Sequence, residues 1–119
     1  MKLAQARKFA LSLPGAAEAP HFHGSSFRIR GKIFATVPPE GDRLHVFVPE
    51  EDRERALALN PSAAEKLLWG GTVVGLRVIL ANATPALVSR LLSTAWSAKA
   101  PQAVARAYFE AKGGHVDAA

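Results

Sequence analysis

Residues 27–37 read FRIRGKIFATV, two runs of apolar and β-branched residues on either side of a glycine. Apolar and basic residues alternate from Phe27 to Arg30, which is the period of a half-buried β-strand. Gly31-Lys32 fits a two-residue turn with glycine in first place, and residues 33–37 form the returning strand. The sequence therefore predicts an antiparallel hairpin that reverses at Gly31-Lys32.

A third strand extends this hairpin into a meander. Residues 38–42 hold two prolines and a glycine and predict a second reversal, followed by a strand from Leu44 to Val48. Cross-strand partners share a face, so this register places Arg28 opposite Ala35 and sorts the side chains onto two sides. The side predicted to lie under helices collects Phe27, Ile29, Phe34, Thr36, Leu44, Val46 and Val48. The other side collects Arg28, Arg30, Arg43 and His45, interleaved with Ile33, Val37 and Phe47.

The rest of the chain predicts helices and one further strand. Thr72–Leu80 is rich in β-branched residues and reads as a fourth strand, which adds Arg77 to the basic side. The helices are predicted from apolar spacing, prolines and caps at 3–13, 49–59, 84–99 and 101–112, the last one ending at Gly113-Gly114. The expected fold is an α+β two-layer sandwich, in which an antiparallel sheet (the three-strand meander plus a further strand) has helices packed on one face.

Two segments are predicted to stay outside the regular strands. Residues 16–25 are small or polar and indicate an irregular approach to the sheet, whereas Ser62 and Glu65 have the spacing of a capping box and predict a short helical turn through Leu68. Trp69, just before Gly70-Gly71, is expected to be a core anchor or a lid over the sheet edge. Trp96 and Tyr108 are expected in the core.

Composition excludes several classes of function. The 119 residues predict a single domain over 1–119, with 101–112 as an additional C-terminal helix, and the absence of cysteine excludes disulfides and thiolate chemistry. No apolar run approaches the length of a membrane span, so a cytoplasmic protein without membrane contact is predicted. The net charge is +5, with acidic residues concentrated in 38–65 and basic segments on either side. Such an asymmetry permits an anionic partner.

The basic side of the sheet is the candidate functional surface. Cations interleaved with apolar and aromatic side chains can contact a phosphate backbone or stacked bases. An ordinary solvent-facing sheet shows the same pattern, because arginine stems cover apolar atoms without any ligand. The residues predicted to bind nucleic acid are Arg28, Arg30, Lys32, Arg43, His45 and Arg77.

Catalytic and metal chemistry find little support in the sequence. His21 and His23 would point the same way in an extended segment, as two metal ligands require, but a third ligand at suitable spacing is missing. The serines have no nucleophile motif, and the acidic run Glu50–Glu54 fits the first turn of a helix. The prediction is a protein without catalytic residues, bound metal or cofactor.

Four segments carry a resemblance to a known family: Leu13-Pro14-Gly15-Ala16, His21-Phe22-His23-Gly24, Ser26-Phe27-Arg28-Ile29 and Gly31-Lys32-Ile33-Phe34-Ala35-Thr36. Together they resemble the MmcQ/YjbR family, and the resemblance covers about residues 1–100. It implies a frataxin-like (CyaY-like) fold and the "double wing" DNA-binding label that members of that family carry. Phe27, Gly31, Lys32, Ile33 and Phe34 match as shared motif positions. Many relatives end in a lysine-rich tail after the 84–99 helix, whereas Pro101 here starts another helix.

Two functions follow as hypotheses. The first is a non-catalytic DNA-binding protein that uses the basic side of its sheet. The second is a protein-interaction or self-association module, in which Ile33, Val37 and Phe47 form the contact core and the arginines its rim.

Overall fold

Short turns join four α-helices and six β-strands within residues 1–112, the part of the chain that the computed structural model describes. The predicted end of the last helix at Gly113-Gly114 lies outside these residues. In chain order the elements are α1 Leu3–Ser12, β1 Ala16–His21, β2 Gly24–Ile29, β3 Lys32–Val37, β4 Arg43–Val46, α2 Glu50–Leu59, β5 Ala64–Trp69, β6 Thr72–Ile79, a 3-10 turn Leu80–Asn82, α3 Pro85–Lys99 and α4 Gln102–Ala111.

The strands form one antiparallel sheet in the order β1-β2-β3-β4-β6-β5. The predicted α+β sandwich is confirmed, but two strands were missed. The segment 16–25 is not irregular, since β1 pairs along β2 at the sheet edge, where Pro20 is tolerated because that edge needs no further donor. Residues 64–69 are not a helical turn but strand β5, which pairs with β6 through a hairpin at Gly70-Gly71.

The predicted turn at Gly31-Lys32 is wrong by one residue. Ile29 pairs with Lys32, so Arg30 and Gly31 form the turn, and both have positive φ (50° and 80°). Positive φ at both central residues is the geometry whose twist matches that of the two strands.

A β-bulge in β3 then changes the predicted faces. Phe27 pairs with Ala35 and Arg28 with Ile33, which leaves Phe34 as the extra residue. Phe34 and Ala35 consequently both enter the core, and every later residue of β3 changes side. Thr36, predicted under the helices, faces the other side, and Val37, predicted on the basic side, is buried in the core. The shift places Val37 in the core and removes the threonine hydroxyl from it.

The helices cover one side of the sheet. The apolar face of α3 is buried as predicted, and Thr84 caps this helix by accepting a hydrogen bond from the Leu87 backbone N–H at 3.1 Å. Alanines of α1 and α2 join the same core as Phe27, Leu44 and Leu76 of the sheet. The members of the buried α3 face are Leu87, Val88, Leu91, Leu92, Ala95 and Trp96.

Helix α4 belongs to the helical layer. Its Tyr108 packs edge-on against the fully buried Trp96, with ring centroids 5.1 Å apart, and Trp96 donates its indole N–H to the Pro14 carbonyl at 2.9 Å. Trp96 is therefore a core residue as predicted, whereas Tyr108 is only half-buried. Because α4 packs on this layer, it does not roof the opposite side of the sheet.

Candidate functional site

The side of the sheet away from the helices, here called the open face, is defined by one row of paired residues. Register partners run from β1 to β5 and include Thr36 opposite His45 and His45 opposite Arg77. Partners in a sheet project from the same side, so the whole row shares the open face. The row is Ala19, Ser26, Thr36, His45, Arg77 and Glu65.

Arg28 lies on the open face, as predicted. It pairs with Ile33, and its Nε donates a hydrogen bond of 2.8 Å to the Ser26 hydroxyl. That hydroxyl in turn donates to the Ala19 carbonyl at 3.1 Å, which satisfies a polar group with no exposed surface. Arg28 as a whole is half-buried.

Arg30 and Lys32 lie at the end of the β2–β3 hairpin. Arg30 is exposed at the first position of the turn, with a φ of 50° that non-glycine residues seldom adopt. Lys32 is the exposed first residue of β3. It pairs with Ile29, a core residue, so Lys32 lies on the helical side of the hairpin and not on the open face. Arg28, Arg30 and Lys32 make no ion pair with any residue in 1–112.

Arg43 and Arg77 join the open face but each has an acidic neighbour. Arg43 contacts Asp42 at 3.1 Å and Arg77 contacts Glu65 at 3.1 Å. All four side chains are partly exposed, and such pairs contribute little to stability, typically ~0–1 kcal/mol. The two arginines are therefore neutralised in the free protein, while opening either pair costs little.

His45 lies between these two pairs, opposite Thr36 and Arg77. Burial, followed by the nearby Arg77 guanidinium, lowers the pKa of His45 below its usual value. The imidazole is consequently neutral at pH 7, where it offers one hydrogen-bond donor and one acceptor. His45 is thus a polar group on this face and not one of its cations.

Exposed aromatic side chains border the open face, which was not predicted from the sequence. Trp69 is 56% exposed and packs edge-on against Phe47, with ring centroids 5.5 Å apart. The expectation of a core anchor or edge lid is wrong, because the Gly70-Gly71 turn makes β5 a strand whose last residue projects over the open face. Two glycines between β-rich runs are a hairpin signal, and this signal could have located Trp69.

A groove of about 370 Å³ runs beside Trp69. Thr36 and His45 line it within the sheet, His21 lines it from the end of β1, and Phe22 lines it from the β1–β2 turn. Phe22 is 91% exposed and has a φ of 54°, so residues 21–23 are not the extended segment that two parallel imidazoles would require.

The histidines of this groove do not form a metal site. His21, His23 and His45 all line it. Within residues 1–112, however, no three His, Cys, Asp or Glu side chains are grouped closely enough to hold a metal ion.

Comparison with known proteins gives one match. The family model described as YjbR matches residues 11–98, which extend from the end of α1 almost to the end of α3. Neither the curated proteins nor the solved structures give a match. No helix in residues 1–112 is both long enough and apolar enough to span a membrane.

Proposed function

Because the chain belongs to the YjbR family, we propose that it is a non-catalytic protein that binds nucleic acid through the open face of its sheet. One observation carries the proposal. Arg28 on the open face, together with Arg30 and Lys32 at the β2–β3 turn, gives one hairpin three cations without an ion-pair partner among residues 1–112. Phosphate contacts from such residues supply most of the affinity for nucleic acid.

The ion-paired arginines form a second set of contacts. A phosphate that approaches Arg43 or Arg77 competes with Asp42 or Glu65 for the guanidinium, and the exposed pairs offer little resistance. We therefore expect Arg28 and Arg30 to contribute more to affinity than Arg43 and Arg77. His45, being neutral at pH 7, contributes hydrogen bonds and not charge.

The direct test is the salt dependence of binding to a labelled oligonucleotide, measured by fluorescence anisotropy at several salt concentrations. Each lost phosphate contact is expected to reduce the slope of log affinity against log salt by about 0.7–0.9. The Arg28→Ala/Arg30→Ala variant should lose up to two such contacts. Its matched control is Arg90→Ala/Arg106→Ala, which removes the same charge from exposed positions of α3 and α4 in the helical layer.

Two results would overturn the proposal. One is absence of binding at low salt. The other is an equal loss of affinity in the two double variants, because this outcome would mean that net charge and not the open face governs binding.

Self-association is the second candidate function, favoured by the exposure of Phe22, Trp69 and Leu68. A dimer that buries Phe22 and Trp69 would compete with nucleic acid for the same face. Light scattering across a range of protein concentrations separates the two functions. A dimer that dissociates in a Trp69→Ala variant would establish self-association, and a monomer at all concentrations would exclude it.

A further inference from the structure

Two hollows of the open face meet at Trp69. The groove of about 370 Å³ lies on the side of Phe22 and His45, and a second hollow of about 440 Å³ is lined by Ile33, Phe47 and Lys99. Both are also lined by His21, Thr36 and Trp69, so they adjoin each other. Their size is at the low end of the ~300–1,000 Å³ range of ligand pockets. Together they form a track across the sheet, with Trp69 in its middle.

The side chains of the first groove suit a flat, polar-edged ring. Phe22, His21 and Trp69 are aromatic and offer stacking surfaces. Thr36 and His45 contribute a hydroxyl and an imidazole, which can donate to and accept from the edge of a heterocycle. A nucleobase has both properties, a stacking face and a hydrogen-bonding edge.

The conformation of Phe22 is a separate observation that points to the same groove. A left-handed backbone is costly for a bulky residue, and such outliers cluster at ligand sites. Phe22 gains almost no burial in return, since 91% of its surface remains exposed. Neither the turn nor the core requires a phenylalanine here, whereas a ligand that stacks on the ring does.

We propose that the groove between Phe22 and Trp69 accommodates an unpaired base, so that the ligand of the open face is single-stranded nucleic acid. This inference rests on the proposed function and specifies its ligand. Bases in a duplex are stacked and paired and cannot enter such a groove, whereas those of a single strand can stack on aromatic side chains. The cations are placed for the backbone of such a strand, with Arg28 and Arg30 on the β2–β3 hairpin and Lys99 in the second hollow.

The experiment compares three probes of equal length: a single-stranded oligonucleotide, an abasic strand with the same backbone, and the corresponding duplex. The single strand is expected to bind roughly tenfold more tightly than the abasic strand, because base stacking on aromatic residues adds to the phosphate contacts. Trp69→Ala should remove this difference and leave the affinity for the abasic strand unchanged.

Two further variants separate binding from folding. Leu68→Ala is the matched control, since Leu68 is 51% exposed and precedes Trp69 in β5, where successive side chains point to opposite faces. It should retain the preference for the single strand. Phe22→Asn should lose part of that preference while remaining folded, because asparagine readily adopts the left-handed conformation.

The outcomes distinguish the two proposals. Equal affinity for the single and abasic strands, or an unchanged preference in Trp69→Ala, would overturn the base-binding groove while leaving phosphate binding by the open face in place. Absence of binding to all three probes at low salt would overturn both.

Discussion

Two hairpins of the sheet close with the same backbone geometry but with different residues. The β5–β6 hairpin turns at Gly70-Gly71, with φ values of 58° and 83°, and the β2–β3 hairpin turns at Arg30-Gly31, with φ values of 50° and 80°. Glycine adopts this conformation without steric cost, whereas for other residues the left-handed region costs roughly 1–2 kcal/mol. The first hairpin is therefore relaxed at both positions, and the second is strained at Arg30.

The strained positions are candidate contacts for a partner. The only non-glycine residues with positive φ among those described are Phe22 and Arg30, one an exposed aromatic and the other an exposed cation. Phe22 lies in the turn before β2, and Arg30 lies in the turn after it. Strain that persists without a packing benefit is characteristic of functional sites.

The largest effect is expected inside the relaxed hairpin, at Gly75 of β6. A Cβ atom at this position would collide with the Val46 carbonyl oxygen of the neighbouring strand and lie 3.2 Å from a ring carbon of Phe47. Gly75→Ala should therefore force β4 and β6 apart and lower the free energy of unfolding by about 2–3 kcal/mol, measured by urea denaturation.

Gly71→Ala is the control for this variant. A Cβ atom there meets no other atom within 4 Å, so only the positive φ opposes the substitution. Its expected cost is about 1 kcal/mol. A larger loss for Gly71→Ala than for Gly75→Ala would contradict the assigned contact between β4 and β6.

A smaller effect, of opposite sign, is expected at the strained turn. Arg30→Asn creates Asn-Gly, the preferred pair for this hairpin geometry, and should raise the free energy of unfolding by about 0.5–1 kcal/mol. The same variant should bind nucleic acid more weakly, because it removes an exposed cation from the hairpin. Urea denaturation and anisotropy on one protein sample measure both changes.

Gly70→Asn is the matched substitution in the relaxed hairpin. It should leave binding unchanged and should not stabilise the protein, since no strain is relieved there. If Arg30→Asn fails to stabilise relative to Gly70→Asn, Arg30 is not strained.

The smallest expected effect is the pH dependence of stability that His45 produces; this residue lies in β4, between the two hairpins. Because the pKa of His45 is lower in the folded state than its usual value of 6.5, the unfolded chain takes up the proton first as the pH falls. His45 should therefore leave stability unaffected well above pH 6.5, and stability should decline as the pH falls through 6.5 towards the folded pKa. Urea denaturation of the wild type and His45→Gln at a series of pH values measures this dependence. An equally steep decline in both proteins would contradict it.

The side of the sheet on which Arg28, Arg43, His45 and Arg77 lie could be predicted from the sequence. Arg28 alternates with Phe27 and Ile29 of β2, and both of these are buried. That alternation does not depend on the turn or on the bulge in β3, so the side of Arg28 is correct although its predicted partner, Ala35, is not. The helices were predictable for a similar reason, because proline and cap residues mark their ends locally.

Features that depend on pairing could not be predicted in this way. Strand β1 is made of small residues and a proline, and β5 lacks alternation, so each becomes a strand only through its neighbour. The bulge at Phe34 places Thr36 on the open face and Val37 in the core, and no local sequence signal reveals it. The groove beside Trp69 is formed by residues of β5, β3 and the β1–β2 turn. It could not be predicted because β1 and β5 were both missed as strands.

The most direct test of the account is to map amide chemical shifts of the isotope-labelled protein during titration with a single-stranded oligonucleotide. We expect the perturbed amides to cluster on the open face and the β1–β2 and β2–β3 turns, including those of Phe22, Arg28, Thr36, His45 and Trp69. Amides on the exposed surfaces of α1 and α4 should remain unchanged. Perturbations confined to the helical layer, with the open face unaffected, would contradict the account.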